Sequence, residues 1–364
     1  MRSSENTGRK KVTMKNVAAL SGVSYQTVSR VINGMPDVSD KTRKRIQKVM
    51  KKVGFRPNMT ARQLRSRRST TVGLVTFATG YYGPSQVLTN SEQSVKELGF
   101  GFMFSGIVEE SIDEIRRAVA ELCAYQVCGI LIHLPLQVDL RDLQDLSLNV
   151  PLVAVDSDFG FQAPSVVIDN ELGSRIATRH LIERHHEKIA YLQGPPYWRA
   201  SKLRYLGWQK ELKAAGLKQG PLVQGDWSAG SGFEAVKKML AHSWGKFTAV
   251  VVANDQMALG AIRAFQESGI RIPEDISIVG FDDIPEAGFF GPPLSTMKQD
   301  FGALGKLSVQ CLMEYLNGTQ GRTTYRITPT FIERKSTVVH RLISRRHTAV
   351  GDFADFQGAS DKHT

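Results

Sequence analysis

Carboxylates and amides recur where short apolar runs end. Asp156 follows Leu152-Val153-Ala154-Val155, and Asn254-Asp255 follows Val250-Val251-Val252-Ala253. Asp282-Asp283 follows Ser277-Ile278-Val279-Gly280-Phe281, and Gln299-Asp300 follows the strand-like Thr296-Met297-Lys298. If the runs are strands of parallel sheets, these side chains gather in one cleft beyond the strand ends. With Arg204 and an aromatic such as Trp227 beside them, they suit a neutral polyol. Carboxylates accept from hydroxyls, the guanidinium donates, and the ring covers the apolar C–H side. Any one strand-end Asp can equally cap the helix after it; recurrence on several strands favours a shared site.

A different chemistry is set up near the amino terminus. Gln26 carries an amide that can bond adenine bidentately, and Arg30 a guanidinium that can bond O6 and N7 of guanine. The residues around them form a pattern that would present both. Thr13 can cap a short helix to Leu20, with Val17 and Leu20 on one face. Ser21-Gly22-Val23 makes a tight turn in which Gly22 takes a left-handed conformation without steric cost. Ser24 caps a second helix, Tyr25 to Asn33, with Val28 and Val31 inward and Tyr25, Gln26, Ser29 and Arg30 outward. A third, Ser39 to Val53, turns Ile46, Val49, Met50 and Val53 inward and most of its seven Lys and Arg outward. Helix, glycine turn, helix is the layout in which a second helix enters the major groove.

Charge agrees with that reading. The chain has 364 residues and a net charge of +12, but residues 1–70 hold 18 Lys and Arg against three acids, a net +15, and the rest carries −3. A polyanion is the expected partner of the basic end. Three cysteines, Cys123, Cys128 and Cys311, are too scattered for a disulfide framework or a zinc site and read as reduced, buried thiols. No apolar stretch is long enough to span a membrane, and the polar first residues lack a signal-peptide core. A cytoplasmic protein is expected, without membrane association.

From Thr70 onward, apolar runs alternate with amphipathic helices. The runs are 71–77, 101–105, 129–134, 152–155, 188–192, 222–224, 249–253 and 276–281; helices include 112–125, 172–184 and 256–268. Alternation of this kind implies parallel sheets covered on both faces, and about 270 residues suits two lobes with a cleft between. The expected division is a basic arm and DNA-binding head over 1–57, a short helix and linker over 58–69, a core over 70–340 and a polar tail over 341–364. In the second segment Asn58 can cap one or two turns that are too short to be stable alone. His185-His186, at a polar helix end, reads as solvated.

Val12-Thr13, Asn16-Val17-Ala18 and Gly22-Val23-Ser24-Tyr25-Gln26-Thr27-Val28-Ser29-Arg30-Val31-Ile32-Asn33 closely resemble the head of the LacI/GalR family of transcriptional regulators. Gly225-Asp226-Trp227-Ser228, Val252 to Ala261, Asp275 to Asp283 and Lys298-Gln299-Asp300-Phe301 carry the resemblance into the core, from about residue 12 to 338. The resemblance implies a sequence-specific repressor with a periplasmic-binding-protein type I core, whose chain crosses three times between lobes. It implies that Tyr25, Gln26 and Arg30 read double-stranded operator DNA. Thr13, Met14, Ser24, Ser29, Asn33, Ser39 and Thr42 would support them on phosphates or base edges. Asn58 would open the hinge helix, with Ala61 and Leu64 entering the minor groove and Leu64 wedging between base steps. In the core it implies that Asp156, Arg204, Asn254, Asp282 and Gln299 bind the hydroxyls of a small sugar effector, with Trp227 and Phe301 on the apolar side.

Three positions depart from the galactoside sensors of that family. Phe77 stands where a serine is expected, Tyr81 for a leucine and His133 for an asparagine. The amino-terminal half of the pocket is thus bulkier and more aromatic, and His133 reads equally well as a core histidine. A galactoside released from a homodimeric repressor remains the expectation, since the head needs two half-sites and the tail lacks leucine heptads. A nucleobase corepressor within the same family is the alternative. A sugar-processing enzyme is disfavoured because the sequence has no Gly-rich phosphate loop, no G-x-S-x-G elbow and no H-E-x-x-H. Neither cofactor nor metal is expected. A transport-associated sugar-binding protein would need a signal peptide and no basic head.

Overall fold

The computed structural model describes residues 12–32, 35–55, 69–77, 79–108, 111–134, 150–157, 163–243, 245–318 and 324–340. Two compact units divide at Thr70 and Thr71.

The amino-terminal unit is three helices, α1 (Met14–Ser21), α2 (Tyr25–Ile32) and α3 (Asp40–Lys52). Thr13 caps α1 through a capping box with Asn16, and Gly22 ends it at φ +61°, where its N–H reaches the carbonyls of Ala18 and Ala19. Val17, Val28 and Ile46, one from each helix, are fully buried and form the centre of a small core. The inward face of α1 is Val17, Ala18 and Ser21; Leu20, expected beside Val17, is 61% exposed. A helix this short buries residues i, i+1 and i+4 against two partners, and Leu20 falls on the far side.

In the larger unit, β1 (Thr71–Phe77), β2 (Gly101–Ile107), β3 (Gly129–His133), β4 (Leu152–Val155), β5 (Ser165–Ile168) and β11 (Thr324–Ile327) form one six-stranded sheet in the order β11-β5-β4-β3-β1-β2. The second contains β6 (Ile189–Gln193), β7 (Leu222–Gln224), β8 (Ala249–Val252), β9 (Ser277–Asp282), β10 (Ser295–Lys298) and β12 (Thr330–Ile332), in the order β12-β10-β9-β8-β6-β7. Every pairing is parallel except β10 with β12, an antiparallel edge on an otherwise parallel sheet. β5, β11 and β12, each three or four residues, were not expected from sequence.

Strands read as continuous apolar runs because both faces are covered. In the first sheet Val75, Ile130 and Ile132 face Ile115, Val119 and Leu122 of α5 (Ile112–Ala124). Val72, Leu74 and Leu131 face α4 (Tyr82–Glu97) and α10 (Phe301–Leu316) through Val87, Val95, Leu304 and Leu312. Tyr191, Trp208, Phe265 and Phe281 fill the second lobe, which is flanked by α6 (Asn170–Glu183), α7 (Arg199–Ala214), α8 (Ala229–Ser243) and α9 (Asp255–Glu267). The chain passes between lobes three times, from β5 to α6, from β10 to α10 and from β11 to β12. All three cysteines are free, Cys311 buried and the other two half-buried.

His186 is not solvated as its sequence setting suggests. It is 2% exposed, with Nδ1 2.9 Å from the Thr248 hydroxyl and Nε2 3.1 Å from the Val338 carbonyl. A carbonyl can only accept, so Nε2 carries the proton. Burial pushes His186 and the neighbouring His180 down to about 4. In the unfolded chain these imidazoles protonate near 6.5, before the folded protein does. Stability is therefore full above about pH 6.5 and declines towards pH 4. Thermal melts between pH 7.5 and 4.5 are expected to show that decline, with a shallower slope in His186→Asn; equal slopes would remove His186 from the cause.

Candidate functional site

The strand ends of both sheets border one cavity of about 270 Å³. Asp156, Arg204, Trp227, Asn254, Asp282, Gln299, Phe301, Tyr81 and His133 all line it. Phe77, expected there, is not among the lining residues. Its ring stands behind the wall, edge-on to Trp198 at 6.1 Å.

Arg204, on α7, organises the polar end. Its Nε donates to Asn170 Oδ1 (2.7 Å), and Nη1 donates to the Ala253 carbonyl (2.5 Å) and Asp282 Oδ1 (3.3 Å). The guanidinium lies 3.8 Å from the centroid of the Phe281 ring. Gln299 Nε2 donates to the same Asp282 oxygen (2.6 Å). Asp156 Oδ1 accepts from the Ile168 amide (3.0 Å). Among the described residues, Asp282 Oδ2, Asp156 Oδ2, Gln299 Oε1 and Arg204 Nη2 make no hydrogen bond, so two carboxylate acceptors, an amide acceptor and a guanidinium donor remain for a ligand. Asn254 serves two purposes: Oδ1 caps α9 by accepting from Met257 N (3.0 Å), while Nδ2 donates to the Trp227 carbonyl (3.0 Å). Asn254 thus caps a helix and lines the cavity at once. Asp300 caps α10 instead, and Asp255 is fully buried, accepting from Thr296 and the Ile284 amide.

Backbone strain is concentrated here. Asp156 (φ +47°), Trp227 (φ +78°) and Asp282 (φ +121°) all occupy the left-handed half of conformational space. Such residues cost about 1–3 kcal/mol each and persist where surrounding structure holds them, often at ligand sites. Gly194 makes room for one of them: a Cβ there would lie 2.5 Å from the Trp227 ring.

Burial raises the Asp282 carboxyl to about 6, against the pull of Arg204 and Gln299, and raises Asp156 against the pull of Arg199 and Arg204. A ligand hydroxyl donates to the ionised form. Affinity for a polyol is therefore expected to hold above pH 6 and to weaken as pH falls through that value, towards about tenfold per unit. Tryptophan-fluorescence titration at pH 7.5 and 5.5, with folding checked by circular dichroism, measures this; pH-independent affinity would mean that Asp282 does not accept from the ligand. His133, 4% exposed, is held neutral by burial, pushed down to about 4, with Nδ1 3.2 Å from the Thr76 hydroxyl.

Sequence reasoning missed Tyr82, Trp198, Arg199 and Gln256 in the lining. Trp198 follows β6 in Gly194-Pro195-Pro196-Tyr197-Trp198, so extending the strand-end argument to that loop would have found it.

In the amino-terminal unit, Tyr25, Gln26 and Arg30 project from one side of α2, Tyr25 39% exposed, while Ser29 is half-buried. Ser24 Oγ accepts from Thr27 N (3.1 Å) and so caps α2. Ser39 does not cap α3; its hydroxyl donates to Thr42 Oγ1 (3.0 Å). Arg30 pairs with Asp37 at 3.1 Å, both half-exposed, so the pair is weak enough to open for another partner. Thr13 and Met14 stand at the start of α1. Asn33, Asn58, Ala61 and Leu64 lie outside the described residues, as do the arm over 1–11 and the tail over 341–364.

Residues 13–58 match the family of bacterial regulatory proteins called the lacI family, and residues 178–337 match the periplasmic binding protein-like domain. The chain is 36% identical to the lactose operon repressor of Escherichia coli K12 over 344 residues, 94% of this chain and 95% of that protein. It is 34% identical to the HTH-type transcriptional repressor PurR of Aliivibrio salmonicida, over 91% of this chain and 99% of that protein. Among solved structures, a lac repressor dimer bound to operator and the anti-inducer ONPF gives a TM-score of 0.79 at 37% identity, covering 90% of this chain and 100% of that one. A complex of the transcriptional regulator CelR with cellobiose gives 0.67 at 31%, covering 89% and 99%.

Proposed function

This chain belongs to the lacI family of bacterial regulatory proteins and is a DNA-binding transcriptional repressor; from that premise we propose that a small sugar, a galactoside, releases it from a palindromic operator that it binds as a homodimer. The observation that carries the sugar reading is the cavity itself. Unspent carboxylate, amide and guanidinium atoms line it together with the aromatic rings of Trp227 and Phe301, Trp227 lying 5.8 Å from the Arg204 guanidinium. Tyr25, Gln26 and Arg30 are the residues proposed to reach base edges, and Leu64 the one proposed to wedge the minor groove.

The sugar acts by linkage. It binds the DNA-free state better by the factor with which it weakens DNA binding, and about 1–3 kcal/mol of coupling gives roughly 5- to 150-fold release. The short helix expected after Asn58, which lies outside the described residues, is the element proposed to melt in such a shift.

Fluorescence anisotropy on a lac-like palindromic duplex, at fixed salt, tests this. Tight binding released by galactosides is expected. Tight binding that guanine or hypoxanthine strengthens would replace the sugar by a nucleobase corepressor. Binding no tighter than to a random duplex would reject the proposed operator.

A further inference from the structure

The basic head carries few acids, and one of them stands where a negative charge opposes DNA binding. Residues 1–70 hold Glu5, Asp37 and Asp40 against 18 Lys and Arg. Asp40 is the first residue of α3, where the helix dipole favours it. Asp37 lies between α2 and α3, half-exposed, with Oδ2 3.1 Å from Nη1 of Arg30. A carboxylate on a surface that meets phosphates weakens the charge attraction to any duplex, whatever its sequence.

The turn that holds Asp37 is fixed on three sides. The Met35 amide donates to the Arg30 carbonyl (3.0 Å), on α2. The Met35 carbonyl accepts from Nη2 of Arg43, on α3. Val38 is buried in the core with Val17, Val28 and Ile46. Asp37, between Met35 and Val38, is thereby held beside Arg30. Gln26 and Arg30 are four residues apart on α2, one turn, on the same face. The ion pair engages Nη1 of Arg30 and leaves the Nε–Nη2 edge of the guanidinium as a two-donor fork. Among the described residues nothing bonds that edge.

A guanidinium on a free side chain has two uses on DNA. It bonds O6 and N7 of guanine through two parallel donors, or it turns to a phosphate, a contact without sequence information. We propose that Asp37 is a specificity-determining residue of the DNA interface, whose carboxylate holds the Arg30 fork towards guanine and disfavours the turn to phosphate. This rests on the reading of Arg30 as a residue that reaches base edges. In water the pair is weak. Beneath a duplex water is excluded, and the attraction between the two charges grows. The support is thus strongest in the docked complex, where the orientation of Arg30 counts. On unrelated sequence the guanine is missing, and what remains of Asp37 is its repulsion of phosphate. It therefore raises the ratio of specific to non-specific affinity from both sides, the quantity that governs the choice of sites in a genome.

The test starts with selection by the full chain, without effector, from a pool of duplexes randomised within a palindromic frame. The selected duplex and a random one are then titrated by anisotropy at fixed salt. The unaltered protein is expected to favour guanine by roughly tenfold or more at one position of each half-site. Arg30→Ala is expected to lose that preference. Asp37→Asn keeps the shape and the turn chemistry and removes the charge. It is expected to cut the preference to about threefold or less and to bind the random duplex roughly two- to fivefold more tightly, a gain that shrinks at high salt. A guanine preference that Arg30→Ala removes and Asp37→Asn leaves intact would overturn the proposal and keep the Arg30 reading. Parallel loss of selected and random binding in Asp37→Asn would reduce Asp37 to a turn residue and overturn the proposal as well. A preference that survives Arg30→Ala would overturn the Arg30 reading and this proposal with it.

Discussion

Arg204→Ala is expected to abolish the response to effector while operator binding persists. The side chain is 5% exposed and ties together Asn170, the Ala253 carbonyl and Asp282. Removing it takes away the donor proposed to meet the ligand and leaves the Asp282 carboxylate buried beside Gln299 alone. Breaking a buried pair by deleting one partner costs about 3–5 kcal/mol, partly recovered when the stranded carboxyl takes up a proton. Effector affinity should drop by roughly a hundredfold or more, equivalent to about 3 kcal/mol. A lower melting temperature should accompany it. Asp282→Asn separates the two effects, because it keeps the shape and removes the charge. Anisotropy on operator with increasing galactoside, run on both variants beside a melting curve, reads them together. Release of the operator by sugar at ordinary concentration in Arg204→Ala would take Arg204 out of the site.

The second large effect is on folding. Gly260 on α9 and Gly232 on α8 let two backbones touch. A Cβ at 260 would lie 1.8 Å from the Ala229 carbonyl oxygen, and one at 232 would lie 2.2 Å from that of Met257. No rotamer change relieves a clash with backbone, so the helices must separate. Overpacking costs about 1–3 kcal/mol and more where the backbone must shift. Gly260→Ala is therefore expected to lower the melting temperature by on the order of 5–10 °C. It should also weaken effector binding, because α9 begins at Asp255, directly after the cavity residue Asn254. Gly106, whose added Cβ would meet nothing within 4 Å, is the control, expected to change stability by about 0.5 kcal/mol or less on substitution to Ala. Equal melting curves for Gly260→Ala and Gly106→Ala would contradict the close helix contact.

Much of the architecture follows from short-range patterns. The helix–glycine–helix head needs only the inward valines of α1 and α2, Gly22 and the caps at Thr13 and Ser24, all within a few residues of one another. The parallel sheets announce themselves as apolar runs covered on both faces. The polar strand ends then become candidates because parallel strands deliver their carboxyl ends to one edge. Asp156, Asn254, Asp282 and Gln299 were legible for that reason, whereas Arg204, inside α7, was assigned through the family resemblance.

Other features depended on packing between distant segments. Sequence placed Leu20 beside Val17, but the two partner helices of α1 select Ser21. It left His186 in water, whereas Thr248 and Val338, 62 and 152 residues away, enclose it. Phe77 sits at a strand end like the others, yet its ring supports Trp198 from behind. Trp198 itself enters the cavity because the loop after β6 turns it there, which no local periodicity encodes. The short strands β5, β11 and β12 exist through their pairing partners alone. The sequence by itself determined most of the helices and longer strands and the strand-end inventory, because propensity and burial act over a few residues; tertiary structure decided the short edge strands and which side chains share the cavity, because pairing, direction and enclosure are set by neighbours far along the chain.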